Sequence, residues 1–102
     1  MKSKYLRDSA RGQECAFQIV GVCNGNTETT VLCHLPDESN GMGKKSDDFV
    51  AAFGCSACHD VVDKRSWCDE YIDHMGFYNL RAHSRTLRKW IEMGLIKIKG
   101  LK

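Results

Sequence analysis

No stretch of this sequence is apolar for long enough to span a membrane, and residues 1–13 (MKSKYLRDSARGQ) hold no run that could act as a signal peptide. A membrane protein and a secreted, disulfide-framed one are therefore disfavoured, and a cytoplasmic chain with reduced thiols is expected. There is no internal repeat, no low-complexity tract and no linker, which leaves one domain over residues 1–102. Net charge is also scarce, at +2. What the chain does have is cysteine: six in 102 residues. A domain this short buries a modest core and gains from a staple, and in a reducing compartment Cys pairs point to metal before disulfide.

The small net charge hides an uneven distribution. Residues 1–14 carry four Lys/Arg against two acids, residues 15–78 four against ten, and residues 79–102 seven against one. An acidic middle beside a basic tail fits a metal site next to a phosphate-binding surface; a solvated basic helix is the alternative.

The pattern predicts a short helix over residues 4–11, with Tyr5, Leu6 and Ala10 inward. Residues 16–20 and 29–33 read as two strands joined by the turn chemistry of Gly21 and Asn24-Gly25 into a long-looped hairpin. Residues 36–46 read as a loop. Ser46-Asp47-Asp48 could open a helical turn, yet Phe49–Phe53 could equally be a short buried strand. A helix of about five turns is expected from Cys58 to Gly76. A second runs from Asn79 to Met93, with Leu80, Leu87, Trp90 and Ile91 on one face and Gly94 closing it. Residues 95–99 alternate apolar and basic, as an edge strand or a tail would. Trp67, Tyr71 and Trp90 fall at helical spacing and read as core. His74 and His83 read as surface or structural.

Cys55 and Cys58 have the Cys-x2-Cys spacing that brings two thiolates to one tetrahedral Zn²⁺. Cys15 and Cys23 form a second, wider pair, and the four together can close a structural zinc site pinning the hairpin to the helix. The alternative is that some are small buried hydrophobes. Cys33 and Cys68 are left over and read as packed free thiols. A site filled by four thiolates has no open position for chemistry, so catalysis needs other residues.

His59 follows Cys58, and Asp63 lies one helical turn on, so both project from one face and could hold a divalent cation such as Mg²⁺ or Mn²⁺. His34 ends the second expected strand, and a strand packed on that helix would set it across from His59. There a neutral imidazole could take a proton from water, although a hydrogen-bonded structural histidine is the plainer reading of His34 alone.

A His at a strand end, a loop, and Cys-x2-Cys-His opening a helix resemble the HNH (ββα-metal) nucleases. The segments Ala10-Arg11-Gly12-x-Glu14-Cys15, Gly21-Val22-Cys23-Asn24-Gly25-Asn26 and Cys55-Ser56-Ala57-Cys58-His59-Asp60 resemble most the prophage-encoded YbcO-type nucleases, over about residues 7–98. The resemblance implies an α+β, zinc-stapled ββα-metal domain with additional C-terminal helices. Its core would be about residues 14–75, with a basic helix and tail over 79–102. It further implies a DNA endonuclease of phage or prophage DNA processing, with DNA and a recombination protein as partners. His34 would be the base and His59 a ligand, with Asp63 at the second ligand position. Cys33 stands where that pattern has a ligand Asp or His, and the middle Asn is missing, with Asp48 its nearest substitute and Asn40 the next. Lys44, Lys45, Arg81, Arg85, Arg88 and Lys89 are the expected phosphate contacts. A zinc module that binds nucleic acid or a protein without cutting is the rival, and a redox switch on Cys33 and Cys68 a third reading.

Overall fold

The computed structural model describes residues 1–36 and 47–100. Lys44, Lys45 and Asn40 lie outside the described residues. Helix α1 (Lys4–Asp8) starts where the Ser3 hydroxyl accepts the Leu6 N–H. It buries Leu6, and Ala10 just beyond it, as expected, but Tyr5 is 77% exposed. Residues 6 and 10 share a face, whereas residue 5 sits about 100° round the helix and turns outward.

Strands β1 (Val31–His34) and β2 (Ala51–Gly54) pair antiparallel, with Leu32 opposite Phe53, Cys33 opposite Ala52 and His34 opposite Ala51. The expected hairpin between residues 16–20 and 29–33 is therefore not formed, and the buried-strand alternative at 49–53 supplies the partner. Gln18 takes a left-handed φ of 47° and Gly21 one of 77°, which bends residues 15–23 out of any extended run. The Val22 and Cys23 amides both return to the Ile19 carbonyl, and a short 3₁₀ turn at Thr27–Thr29 then leads into β1.

All four residues of β2 are buried, and its outer edge is closed by partners other than a strand. The Phe53 carbonyl accepts from Ala16 N–H at 2.8 Å, the Phe53 N–H donates to Thr86 Oγ1 at 3.0 Å, and the Ala51 carbonyl accepts from His83 Nδ1–H at 2.9 Å. His83 is thus structural, and the edge is satisfied without a third strand. Gly54 is needed by close approach: a Cβ there would stand 3.2 Å from the Phe17 ring and 3.4 Å from Cys33 Cβ.

The expected long helix after Cys58 is broken into pieces. Helix α2 (Ser56–Val62) ends because Lys64 adopts φ 64° and the Arg65 and Ser66 amides fold back to the Asp60 carbonyl. The chain restarts as α3 (Asp69–Asp73), whose first turn carries Asp69 and Glu70 at the dipole end that favours acids. Helix α4 (Met75–Glu92) follows, with Gly94 beyond it at φ 76°. Trp67 falls in the break and is 77% exposed, so it is not core; Tyr71 and Trp90 are buried. Residues 95–99 form no strand.

Helix α4 buries Tyr78, Ala82, Thr86 and Trp90, a row at four-residue spacing. Trp90 meets Phe53 edge-on at 6.1 Å. Of the expected inward face Trp90 is buried and Leu87 packs against the core, but Leu80 is 70% exposed, because the row that reaches β2 needs Thr86 for the Phe53 amide and small Ala82 beside it. Trp90→Ala is expected to lower stability by ~3–5 kcal/mol in chemical denaturation, with Leu80→Ala within ~0.5 kcal/mol of wild type. Equal losses would mean that α4 packs on the other face.

Candidate metal centres and base

The sulfur atoms of Cys15, Cys23, Cys55 and Cys58 all lie within 4.8 Å of one another, from two distant parts of the chain. Tetrahedral Zn²⁺ with bonds of ~2.3 Å sets its sulfurs about 3.8 Å apart, and Cys55 and Cys23 stand at 3.9 Å. Backbone amides already point at these sulfurs: Gln18 N–H to Cys15 at 3.5 Å and Cys58 N–H to Cys55 at 3.4 Å. A hydrogen bond from the Cys58 thiol pulls Cys15 down to about 5 and, together with burial, pushes Cys58 up. The donor set fits a zinc-class cation, and the left-handed Gln18 is what curls Cys15 round to it. The wide Cys15-x7-Cys23 spacing is accommodated by this curled loop in place of a strand.

A second cluster joins Cys33, His59 and Asp63, whose ligand atoms also lie within 4.8 Å of one another. His59 Nε2 and Asp63 Oδ2 are 3.1 Å apart, one turn along α2. Cys33 is fully buried. Cys33 is packed, as the sequence reading expected, and it is also the side chain of β1 that faces His59 and Asp63 on α2. His34 is not in the cluster, because neighbouring residues of a strand point to opposite faces. The available signal was its place directly before His34, where the resembling pattern has a ligand. Cys68, half-buried, joins neither cluster.

His34 instead turns to Asp48: its Nε2–H donates to the carboxylate Oδ1 at 2.8 Å. Asp48 is 3% exposed. Its other oxygen accepts from the Ser3 N–H at 2.5 Å and faces Arg7 Nε at 3.3 Å. Burial pushes the Asp48 carboxyl up, but the His34 hydrogen bond, the Ser3 amide and the Arg7 charge more than offset it, so the pKa ends below the ordinary value. A charged Asp48 holds the imidazole with its Nε2 protonated, which leaves Nδ1 as the basic nitrogen. Nothing in the local sequence pointed to this support from α1, because Ser3 and Arg7 lie more than forty residues before Asp48.

The basic residues of α4 divide into two kinds. Arg81 donates to the Phe17 carbonyl at 2.6 Å and lies over the Phe77 ring at 4.9 Å; Arg85 donates to the Ala16 carbonyl at 3.3 Å. Both brace the loop that carries Cys15. Arg88 and Lys89 are exposed and, with Arg85, Glu14 and Glu92, line an open cleft of about 600 Å³ beside Cys15. His74 is exposed and lies 3.9 Å from Glu70. Among the described residues no helix is long and apolar enough to cross a membrane.

Residues 4–95 match the family described as "Putative nuclease YbcO". The chain is 43% identical to "Putative nuclease YbcO" of Escherichia coli (strain K12) over 96 residues, covering 90% of this chain and 96% of that protein. It matches "Putative nuclease ybcO" of Enterobacteria phage 82 equally, at 43% over 96 residues and the same coverage. A solved structure titled "Structure of a putative bacteriophage protein from Escherichia coli str. K-12 substr. MG1655" is similar at a TM-score of 0.65 and 38% identity, over 88% of this chain and all of that one.

Proposed function

The chain belongs to the YbcO family, described as "Putative nuclease YbcO", and from that premise we propose that it is a metal-dependent DNA endonuclease of HNH type. The observation that carries the reading is the placing of two kinds of group on one strand–strand–helix unit. Cys33, His59 and Asp63 converge as one donor set from β1 and α2, and the next residue, His34, is oriented by a buried carboxylate. A strand, a second strand and a helix in that order, with a base at the end of the first, agree with the ββα-metal arrangement. The curated relative from phage 82 supports a setting in phage DNA processing.

In this mechanism Asp48 fixes the His34 ring, and His34 Nδ1 accepts a proton from the attacking water. A cation held by Cys33, His59 and Asp63 would supply charge stabilisation at the leaving oxygen. Arg88 and Lys89 hold the DNA backbone from the exposed side of α4, as phosphate contacts that carry no sequence information. Arg81 and Arg85 contribute chiefly by bracing the Cys15 loop. The thiolate of Cys33 bears on the choice of ion: it is a poor partner for Mg²⁺, tolerable for Mn²⁺ and well suited to Zn²⁺.

Cleavage of plasmid and single-stranded DNA, assayed with Mg²⁺, Mn²⁺, Zn²⁺ or EDTA, tests the reading. Cutting that EDTA abolishes and an added cation restores supports it. A protein that binds DNA but fails to cut whichever ion is added belongs to the rival reading, a zinc module that binds without catalysis, which the missing middle Asn and the Cys33 exchange favour. Native mass spectrometry of zinc-loaded protein gives a separate expectation. Wild type is expected to carry two ions per chain, and Cys33→Ser or His59→Ala one. Two ions in both variants would remove the triad from the metal assignment.

A further inference from the structure

The break between α2 and α3 sets one exposed side chain, Arg65, against the triad and a second, Trp67, two residues further on, and nothing in the mechanism yet uses either. The Ser66 N–H bonds the Asp60 carbonyl at 3.2 Å, and Lys64 is held in the left-handed region, so residues 64–67 wrap tightly round the end of the helix that carries His59 and Asp63. Arg65 reaches back over that end, with its guanidinium 3.6 Å from Asp60 and 3.5 Å from Asp63. Two residues on, within about 7 Å along the backbone, Trp67 is 77% exposed.

An indole left so far in water beside a candidate active site is unusual, since large aromatics are normally covered. Its one polar edge is fixed, with Nε1–H donating to Asp69 at 2.6 Å, so the ring is oriented and its faces are open. Among the described residues no other ring or guanidinium stacks on it, unlike exposed Phe77, which meets Tyr78 and Arg81. An oriented, open indole beside an exposed guanidinium is the chemistry that holds an unpaired nucleotide: the base stacks and the phosphate takes the charge. A base inside a duplex offers no free face, so the pair distinguishes unpaired from paired strands.

We infer that Trp67 and Arg65 form a docking point for an unpaired nucleotide next to the Cys33–His59–Asp63 triad, making single-stranded or locally unpaired DNA the substrate class. The inference rests on the nuclease reading only for its consequence in cleavage; the docking itself is a binding property. Arg65, with exposed Lys64 directly before it, supplies the positive charge that a phosphate meets at this end of α2, where Asp60, Asp63 and Asp69 would otherwise repel it. Asp63 is a member of the triad and stands 3.5 Å from Arg65, so a phosphate on Arg65 and the candidate metal centre are neighbours.

The chain has two tryptophans, and Trp90 is fully buried, so emission that iodide can quench reports Trp67. Zinc-loaded protein carrying His34→Ala, to prevent cutting, is titrated with short oligo(dT) and with a duplex of equal length. Oligo(dT) is expected to change Trp67 emission and shield it from iodide, and the duplex to do so far less. Measured by anisotropy of labelled oligo(dT), Trp67→Ala should weaken binding about tenfold, or ~1.4 kcal/mol, and Trp67→Phe should recover most of it. Arg65→Ala should reduce the salt slope by about one contact's worth, ~0.7. Tyr5→Ala, equally exposed on α1, serves as the control and should bind as wild type. Emission unmoved by oligo(dT), or Trp67→Ala binding it as tightly as wild type, overturns the inference. If the oligo(dT) response is intact while the protein cuts no DNA with any ion, the nuclease reading fails and the docking point stands; cutting with unmoved emission is the reverse.

Discussion

Replacing Cys58 with serine, or stripping the ion with a strong chelator, is expected to unfold the chain. Zinc held by thiolates contributes about 10–16 kcal/mol of apparent binding energy in small zinc-dependent domains, whereas whole domains are stable by only about 5–15 kcal/mol. The cluster's place in the fold raises the stake. Cys15 and Cys23 lie in an irregular loop held to the sheet by one backbone bond from Ala16 to Phe53; Cys55 and Cys58 cap and open α2. Removing the link frees that loop from the helix, and Phe17 and Ile19, both buried, lose their seat. The expected result is loss of near-ultraviolet circular dichroism and of amide dispersion on adding chelator, restored by Zn²⁺. A Cys58→Ser protein that melts within a few degrees of wild type would show the four cysteines to be packed thiols.

His34→Ala is expected to cut the rate of DNA cleavage by about 10²–10⁴-fold, the usual contribution of a general base, with zinc content unchanged. The imidazole is half-buried at the strand end and lies outside the metal clusters among the described residues, so its removal should leave the metal in place. Asp48→Asn should lower the rate less, since an amide oxygen can still accept from Nε2–H while the fixed negative charge is lost. A purely structural role for Asp48 would lower stability without slowing cleavage by the folded protein. Equal cutting by His34→Ala and wild type would sink the base assignment whatever the Asn variant did.

The Cys-x2-Cys-His run was legible as a candidate metal-binding helix start because its geometry is local: a four-residue tight turn fixes two sulfurs, and one helical turn carries His59 to Asp63. The second pair of cysteines was legible from residue type and number alone. The strand holding His34 was also readable, within two residues. The pairing was not, because residues 16–20 are as apolar as a strand, and the turn chemistry of Asn24-Gly25 suits a hairpin equally well. Only the gathering of Cys15 to its partners shows why that segment curls. The long helix failed for a related reason: helical period continues through residues 63–68, and the stop comes from Lys64, a residue that carries no breaker signal.

The sequence by itself determined the chemistry available: four cysteines able to hold one ion, a His and an Asp one turn apart, a His at a strand end, and a basic last quarter. Those are properties of residue type and short spacing, and short-range geometry fixes them. Tertiary structure decided which groups meet. The pleat of β1 turned Cys33, not His34, toward His59 and Asp63. The start of the chain came back to support Asp48 through Ser3 and Arg7, and the core took the Ala82–Thr86–Trp90 row of α4 while Leu80 turned outward. Each of these depends on contacts between distant segments, where many pairings satisfy the same local pattern and only the packing of the whole selects one.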